Sequence, residues 1–114
     1  MNEYKPDRWV MIETNFEGAT YYKILASWYG GFGGSNSWKL SSGTVRADLD
    51  ARRGFYSFPQ VSKSLYVCHK ESYGTSGYTQ SVFDHWVEKL EEKGSGKALI
   101  IMPEDTDFLN LDYK

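Results

Sequence analysis

The sequence has little of what secreted and membrane proteins need. It contains one cysteine, Cys68, which cannot form an internal disulfide framework and is typical of a reducing compartment. Its apolar runs fall well short of the roughly 20 residues that span a bilayer. The first residues, MNEYKPDRW, lack the basic and then apolar pattern of a signal peptide. The length of 114 residues and the 40% of hydrophobic side chains predict a single domain over residues 1–114. The features above predict that it is cytoplasmic and has no membrane partner.

An excess of charge of one sign is also missing. The formal net charge is −2 at pH 7, which gives no general attraction to nucleic acid. A long nucleic-acid strand is not an expected partner, because basic residues are interleaved with acidic ones instead of forming a stripe. Residues 84–114, however, carry eight Asp or Glu against four Lys or Arg. In the acidic tail, about residues 104–114, Glu104, Asp105 and Asp107 are a candidate partner surface, and an ordinary solvated surface is the alternative.

Alternating apolar residues indicate strands over most of the chain. The predicted strands are residues 8–16, 20–29, 37–41, 44–50, 55–59 and 64–70. The first two form a hairpin across the turn signal Glu-Gly-Ala. The third and fourth form an antiparallel pair with one solvated face, and the last two continue the meander.

The hydrophobic period becomes helical at residue 78. The apolar positions of this segment are Tyr78, Val82, Phe83, Trp86, Val87 and Leu90. Ser76 or Thr79 can cap the start, and Gly94 suits a left-handed stop. The sequence therefore predicts one α-helix over about residues 78–93.

After the helix, residues 97–103 are predicted as a buried strand, and Phe108, Leu109 and Leu111 are expected to dock the tail on the body. The resulting fold class is α+β. It is an antiparallel sheet or meander of about six to seven strands, with the helix packed across one face. Open sheet edges of this kind favour self-association, so a homo-oligomer is a further expectation.

A glycine-rich segment lies between the second and third predicted strands. Its glycines are Gly30, Gly31, Gly33 and Gly34. The segment is not a nucleotide loop, because Asn36 occupies the third glycine position of the dinucleotide pattern and a strand, not a helix, follows. Two interpretations stay open: a structural bend passing over aromatic rings, and a loop that touches a ligand or partner.

Residues for catalysis are sparse. Cys68 and His69 are adjacent on a predicted strand and so point to opposite faces, where they cannot form a nucleophile and base pair. His85 is expected on the exposed face of the helix. With two histidines and one cysteine there is no cluster at zinc-site spacing. Neither an enzyme activity nor a metal or cofactor is predicted.

Aromatic residues are abundant, with four Trp and nine Tyr. Trp38, Tyr66 and Tyr73, near Lys39 and Lys70, are predicted to form a platform that stacks a base while lysine meets phosphate. The alternative is that at least half of the rings belong to the core.

Thirteen positions of the glycine-rich and Tyr-x-Cys regions match a family pattern. They are Trp28, Gly30, Gly31, Phe32, Ser37, Trp38, Leu40, Ser42, Gly43, Tyr66, Cys68, Tyr73 and Gly74. Over residues 22–77 the chain thereby resembles small accessory proteins of large tailed bacteriophages. Asn36, Lys39 and Ser41 stand where that family usually has Asp, Arg and Asn, and this polar trio brings Ser41 into the candidate ligand site.

The resemblance implies a phage protein that acts in the cytoplasm of an infected bacterium. The first hypothesis is a non-catalytic accessory protein that binds and neutralises a host protein in counter-defence, using exposed aromatics and the acidic tail. The second is sequestration of a nucleotide signalling molecule near Trp38, Lys39, Tyr66 and Lys70. The third is a small nucleotide-processing enzyme.

Overall fold

The computed structural model describes residues 2–30, 37–94 and 96–113. Over these residues the chain forms eight strands, one α-helix and two short 3-10 turns. The strands are β1 Glu3–Tyr4, β2 Arg8–Phe16, β3 Ala19–Trp28, β4 Ser37–Leu40, β5 Asp48–Asp50, β6 Phe55–Pro59, β7 Leu65–His69 and β8 Ala98–Ile101; the helix, α1, is Gly77–Lys93; the turns are Lys70–Ser72 and Phe108–Asn110. The predicted α+β class is confirmed.

The described strands form two sheets, each with four strands. The first sheet has the order β1-β7-β6-β5, and the central sheet has the order β4-β3-β2-β8. β1 runs parallel to β7, and the other neighbouring strands in the described ranges are antiparallel. The central sheet packs on the first sheet with one face and on α1 with the other. The prediction of one sheet with six or seven strands is therefore wrong in both number and layering.

The hairpin of β2 and β3 is the longest pairing in the fold. It joins nine residue pairs from Arg8 opposite Ser27 to Phe16 opposite Ala19. Its turn needs positive φ, which is 50° at Glu17 and 80° at Gly18, as a tight two-residue hairpin turn requires. This turn closes the hairpin that the sequence predicts.

The space between the two sheets is filled largely by aromatic rings. The ring centre of Trp9 lies 5.4 Å from that of Phe58 and 5.3 Å from that of Phe108. All three side chains are buried, and Trp9 Nε1–H donates to the carbonyl of His69 at 2.8 Å. Burying a ring such as Phe58 stabilises the fold by roughly 1.5–3 kcal/mol, so these rings hold the two sheets together.

α1 has strong start and stop signals. The Ser76 hydroxyl accepts from the Thr79 amide at 3.2 Å, and the Thr79 hydroxyl accepts from the Ser76 amide at 2.9 Å. This reciprocal capping satisfies two amides at the start of the helix, and Gly94 ends it with a φ of 58°. The predicted helix is confirmed. No helix within the described residues is long and apolar enough to cross a membrane.

The chain changes sheets just after β4. The Thr44 amide donates to the Tyr22 carbonyl of β3 at 2.7 Å, whereas the Val45 amide donates to the Pro59 carbonyl of β6 at 2.9 Å. Consecutive residues thus bond to different sheets. The predicted pairing of 44–50 with the preceding strand is therefore wrong, and β5 pairs with β6 instead.

β8 is shorter and more exposed than predicted. It covers Ala98–Ile101 and forms an edge of the central sheet beside β2. Leu99 and Ile101 face the helix, but Ile100 is 49% exposed. The apolar run of this segment therefore marks a half-covered edge strand instead of a buried one.

Candidate ligand-binding groove

The structure places Trp38 and Lys39 on opposite faces of β4. Trp38 packs edge-on against Trp86 of α1, with ring centres 5.1 Å apart. Lys39 Nζ lies 5.3 Å from the centre of the Tyr4 ring, on the side of the first sheet. Adjacent residues of a strand alternate in this way, so the two side chains belong to different surfaces.

Tyr66 and Tyr73 lie among the core residues. Tyr66 is 1% exposed, its hydroxyl has no hydrogen-bond partner among the described residues, and burial raises its pKa to about 12. The Tyr73 hydroxyl donates to the Met102 carbonyl at 2.5 Å and accepts from the Met11 amide at 3.1 Å. Burial raises the pKa of Tyr73 to about 12 as well. Both phenols therefore stay neutral at physiological pH.

Ser41 and Lys70 lie apart from these rings. The buried Ser41 hydroxyl accepts from the Ile24 amide at 2.7 Å, which joins it to β3. Lys70 is exposed in the turn after β7, and its amide donates to the Gly54 carbonyl at 2.9 Å. The six residues of the predicted ligand site are thus distributed over several surfaces, and ligand contact by any of them stays a prediction.

Of the loop glycines, Gly30 is described and exposed at the end of β3. Gly31, Gly33 and Gly34 lie outside the described residues. Both interpretations of the glycine-rich segment therefore stay open.

The acidic residues near the C-terminus lie on a well-packed turn. Glu104, Asp105 and Asp107 are all exposed, while Phe108 beside them is buried between the sheets. The Tyr113 hydroxyl donates to the Phe108 carbonyl at 2.5 Å. The tail therefore docks through Phe108 and Leu111, whereas the prediction for Leu109 is wrong, since that side chain is 40% exposed.

A groove that the sequence analysis did not identify lies between α1 and the central sheet. Its volume is about 230 Å³. Apolar side chains from β4, α1 and β8 line it: Leu40, Trp86, Leu90 and Leu99. Lysines from β3, α1 and the start of the β8 segment surround it: Lys23, Lys89, Lys93 and Lys97. The groove therefore combines an apolar floor with four cationic head groups.

The strand and helix periods explain how these lysines meet. Lys23 lies in β3 opposite Ile12, and it shares the helix-facing side with Leu25 because the two are two residues apart. Lys89 and Lys93 are four residues apart and thus lie one turn apart on α1. The helix spacing could have been read from the sequence, but the approach of Lys23 to it depends on tertiary packing.

Lys23, Lys89 and Lys93 are not held in buried ion pairs within the described residues. Lys89 Nζ lies 3.8 Å from a Glu92 carboxylate in an exposed pair, and such pairs contribute little. In the part of the chain that the structure describes, Lys23 and Lys93 form no ion pair. The groove is therefore a local cationic site on a protein whose net charge is −2.

A second cavity of about 280 Å³ adjoins the groove. Thr14, Lys23 and Lys97 line both cavities. The second cavity adds the partly exposed rings of Phe16 and Tyr21, together with Ser42.

No metal centre is found among the described residues, where no group of three or more His, Cys, Asp or Glu side chains is arranged to hold an ion.

Comparison with protein-family models, curated proteins and solved structures finds no match to this chain.

Proposed function

We propose that the protein is a non-catalytic binding protein that captures an anionic ligand with a flat apolar portion in the groove beside α1. The observation that carries this proposal is the set of four lysines around an apolar floor in an otherwise slightly acidic protein. Concave sites with apolar walls and a few convergent polar groups are the usual form of small-ligand sites.

The two parts of the groove have separate roles in this proposal. Trp86 and Leu40 supply apolar surface for a ring, which gives most of the binding free energy. The lysine ammonium groups select for negative charge and raise the association rate. An anion such as phosphate, sulfate or carboxylate satisfies this requirement.

The biological role follows the phage resemblance. In an infected bacterium, a protein that holds a small anion without converting it would lower the free concentration of that anion. We therefore propose sequestration of a host signalling molecule in counter-defence, in the bacterial cytoplasm.

The test is a binding measurement with two related fluorescent probes. We expect 8-anilinonaphthalene-1-sulfonate to bind more tightly than the neutral N-phenyl-1-naphthylamine. The Lys23→Glu/Lys93→Glu variant should bind the sulfonate about tenfold more weakly or worse, because it replaces attraction by repulsion at the ring.

The matched control is Arg52→Glu/Lys63→Glu, which makes the same change in net charge at exposed sites beside the first sheet. It should bind the sulfonate as the wild type does. Equal losses in both variants, or no loss in either, would contradict capture in the groove.

A second candidate function is supported by the way Phe108 anchors the acidic turn. Because Glu104, Asp105 and Asp107 are exposed beside a buried anchor, their carboxylates form a preorganised surface for a basic host protein. Alanine at all three positions should slow association with such a partner, whereas Lys23→Glu/Lys93→Glu should leave it unchanged. Unchanged association kinetics of the triple variant, measured by surface plasmon resonance with a partner isolated from infected cells, would exclude this function.

A further inference from the structure

The groove and the cavity next to it form one bipartite site. Their volumes are about 230 and about 280 Å³, and they share Thr14, Lys23 and Lys97 as a common boundary. A ligand that fills both must cross this boundary.

Each cavity has its own apolar wall. In the groove the wall includes Trp86, which packs edge-on with Trp38. In the second cavity the wall consists of Phe16 and Tyr21, which are 39% and 51% exposed. Exposed aromatic walls of this kind accept flat rings by stacking.

The cationic groups occupy two places along the site. Lys23 and Lys97 lie at the boundary between the cavities, whereas Lys89 and Lys93 line the groove alone. An amphiphile with one charged end and one tail would need positive charge at one end of the site. Lys23 and Lys97 in the middle of the site fit an anion that links two rings. Lys89 and Lys93 fit a second anion in the groove.

We infer that the ligand is a dinucleotide with two phosphates, whose bases occupy the two cavities and whose linking phosphate lies between Lys23 and Lys97. This inference rests on the proposed capture of an anion in the groove. Ser42 lines the second cavity, and its hydroxyl, which accepts from the Ser62 amide at 3.0 Å, can still donate to a sugar or base there.

The test compares pApA, which has two bases and two phosphates, with ADP, which has one base and two phosphates, by isothermal titration calorimetry. We expect pApA to bind about tenfold to a hundredfold more tightly, because each stacked base contributes on that order. Tyr21→Ala should weaken pApA binding more than ADP binding, because only pApA has a base for each of the two cavities. Tyr29→Ala is the matched control, since Tyr29 is 53% exposed and lies outside both cavities.

The possible failures are distinct. Equal affinities for pApA and ADP would overturn the dinucleotide inference, and so would binding of the anilinonaphthalene sulfonate without binding of either nucleotide. In both cases lysine-dependent capture of the sulfonate would leave the proposed function in place. If none of the anionic probes binds, the inference and the proposed function both fall.

Discussion

The two faces of the central sheet are covered to different extents. On the face toward the first sheet, Trp9, Met11 and Ile24 are fully buried, because another four-stranded sheet lies across them. On the opposite face, α1 buries Val10, Ile12 and Leu25 equally well, but Phe16 and Tyr21 at one end of the sheet are 39% and 51% exposed. One helix is about 10 Å wide and strands are about 4.8 Å apart, so the helix cannot cover the whole face. The uncovered part becomes the lysine-rimmed groove.

This difference places the predicted aromatic site residues and the groove lysines in different environments. Cys68, Tyr66 and Tyr73 lie on the buried side or between the layers, where they pack or form hydrogen bonds. The groove lysines lie on the partly covered side and contribute little to packing. We therefore expect substitutions between the sheets to lower the unfolding free energy most. Substitutions in the groove should mainly weaken ligand binding.

The largest expected effect is on stability, from a matched pair of Phe to Ala changes. Phe58→Ala removes a fully buried ring and should reduce the free energy of unfolding by about 3–5 kcal/mol. Phe16→Ala removes a 39% exposed ring and should cost less than about 1.5 kcal/mol while weakening pApA binding. Urea denaturation measures both. Similar losses from the two changes would show that the faces are packed alike.

The next largest effect should be a loss of stability at alkaline pH, which acts through the buried tyrosines. The pKa values of Tyr66 and Tyr73 are raised by burial from 10.0 to about 12. Between these values the unfolded chain releases protons that the folded protein retains, so stability falls as pH rises. The contribution of each of these tyrosines to the unfolding free energy should be constant up to about pH 9 and then fall by up to about 2 kcal/mol toward pH 12. Tyr66→Phe should reduce this slope, and a slope unchanged by that substitution would contradict the assignment.

A smaller effect on stability is expected when the phenol hydroxyls of Tyr73 and Tyr66 are removed one at a time. Tyr73→Phe leaves the Met11 amide and Met102 carbonyl without this partner and should cost about 1–3 kcal/mol. Tyr66→Phe removes a buried hydroxyl that has no hydrogen-bond partner in the described part of the chain, and it should be neutral or stabilising. Thermal unfolding checks the order. A larger loss for Tyr66→Phe would mean that its hydroxyl has a structural role.

The smallest effect on stability should come from the groove itself. Lys93→Ala changes an exposed side chain and should alter the unfolding free energy by less than about 0.5 kcal/mol. It should nevertheless weaken binding of the anilinonaphthalene sulfonate several-fold, because it removes one cation from the rim. Chemical denaturation and fluorescence titration of the same sample measure both values. A loss of stability without a loss of binding would assign Lys93 to the framework.

Local patterns predicted the local structure well. The β2–β3 hairpin follows from alternation and a Glu-Gly turn, and α1 follows from its apolar period with Ser76 and Gly94 at its ends. The division into two sheets was not predictable in this way, because it depends on whether Thr44 and Val45 bond to β3 or to β6. The residue types and the alternating spacing of this segment would be the same whether it bonded to β3 or to β6.

The candidate site was still less accessible from the sequence. Lys23 and Lys89 are far apart in the chain, and they line one groove only because α1 lies against the face of β3 that carries Lys23. The aromatic composition instead predicted Tyr66 and Tyr73 as site residues, but their rings pack in the interior of the fold. Trp38 is a predicted site residue that contacts the groove-lining Trp86.

The most direct test of the central claim is an amide chemical-shift titration of the ¹⁵N-labelled protein with 8-anilinonaphthalene-1-sulfonate. We expect the largest saturable shifts at Thr14, Lys23, Leu90 and Leu99, and small shifts for residues between the sheets such as Phe58 and Cys68. Shifts that concentrate at the acidic turn around Asp105, or that fail to saturate at any group of amides, would contradict a ligand site in the groove.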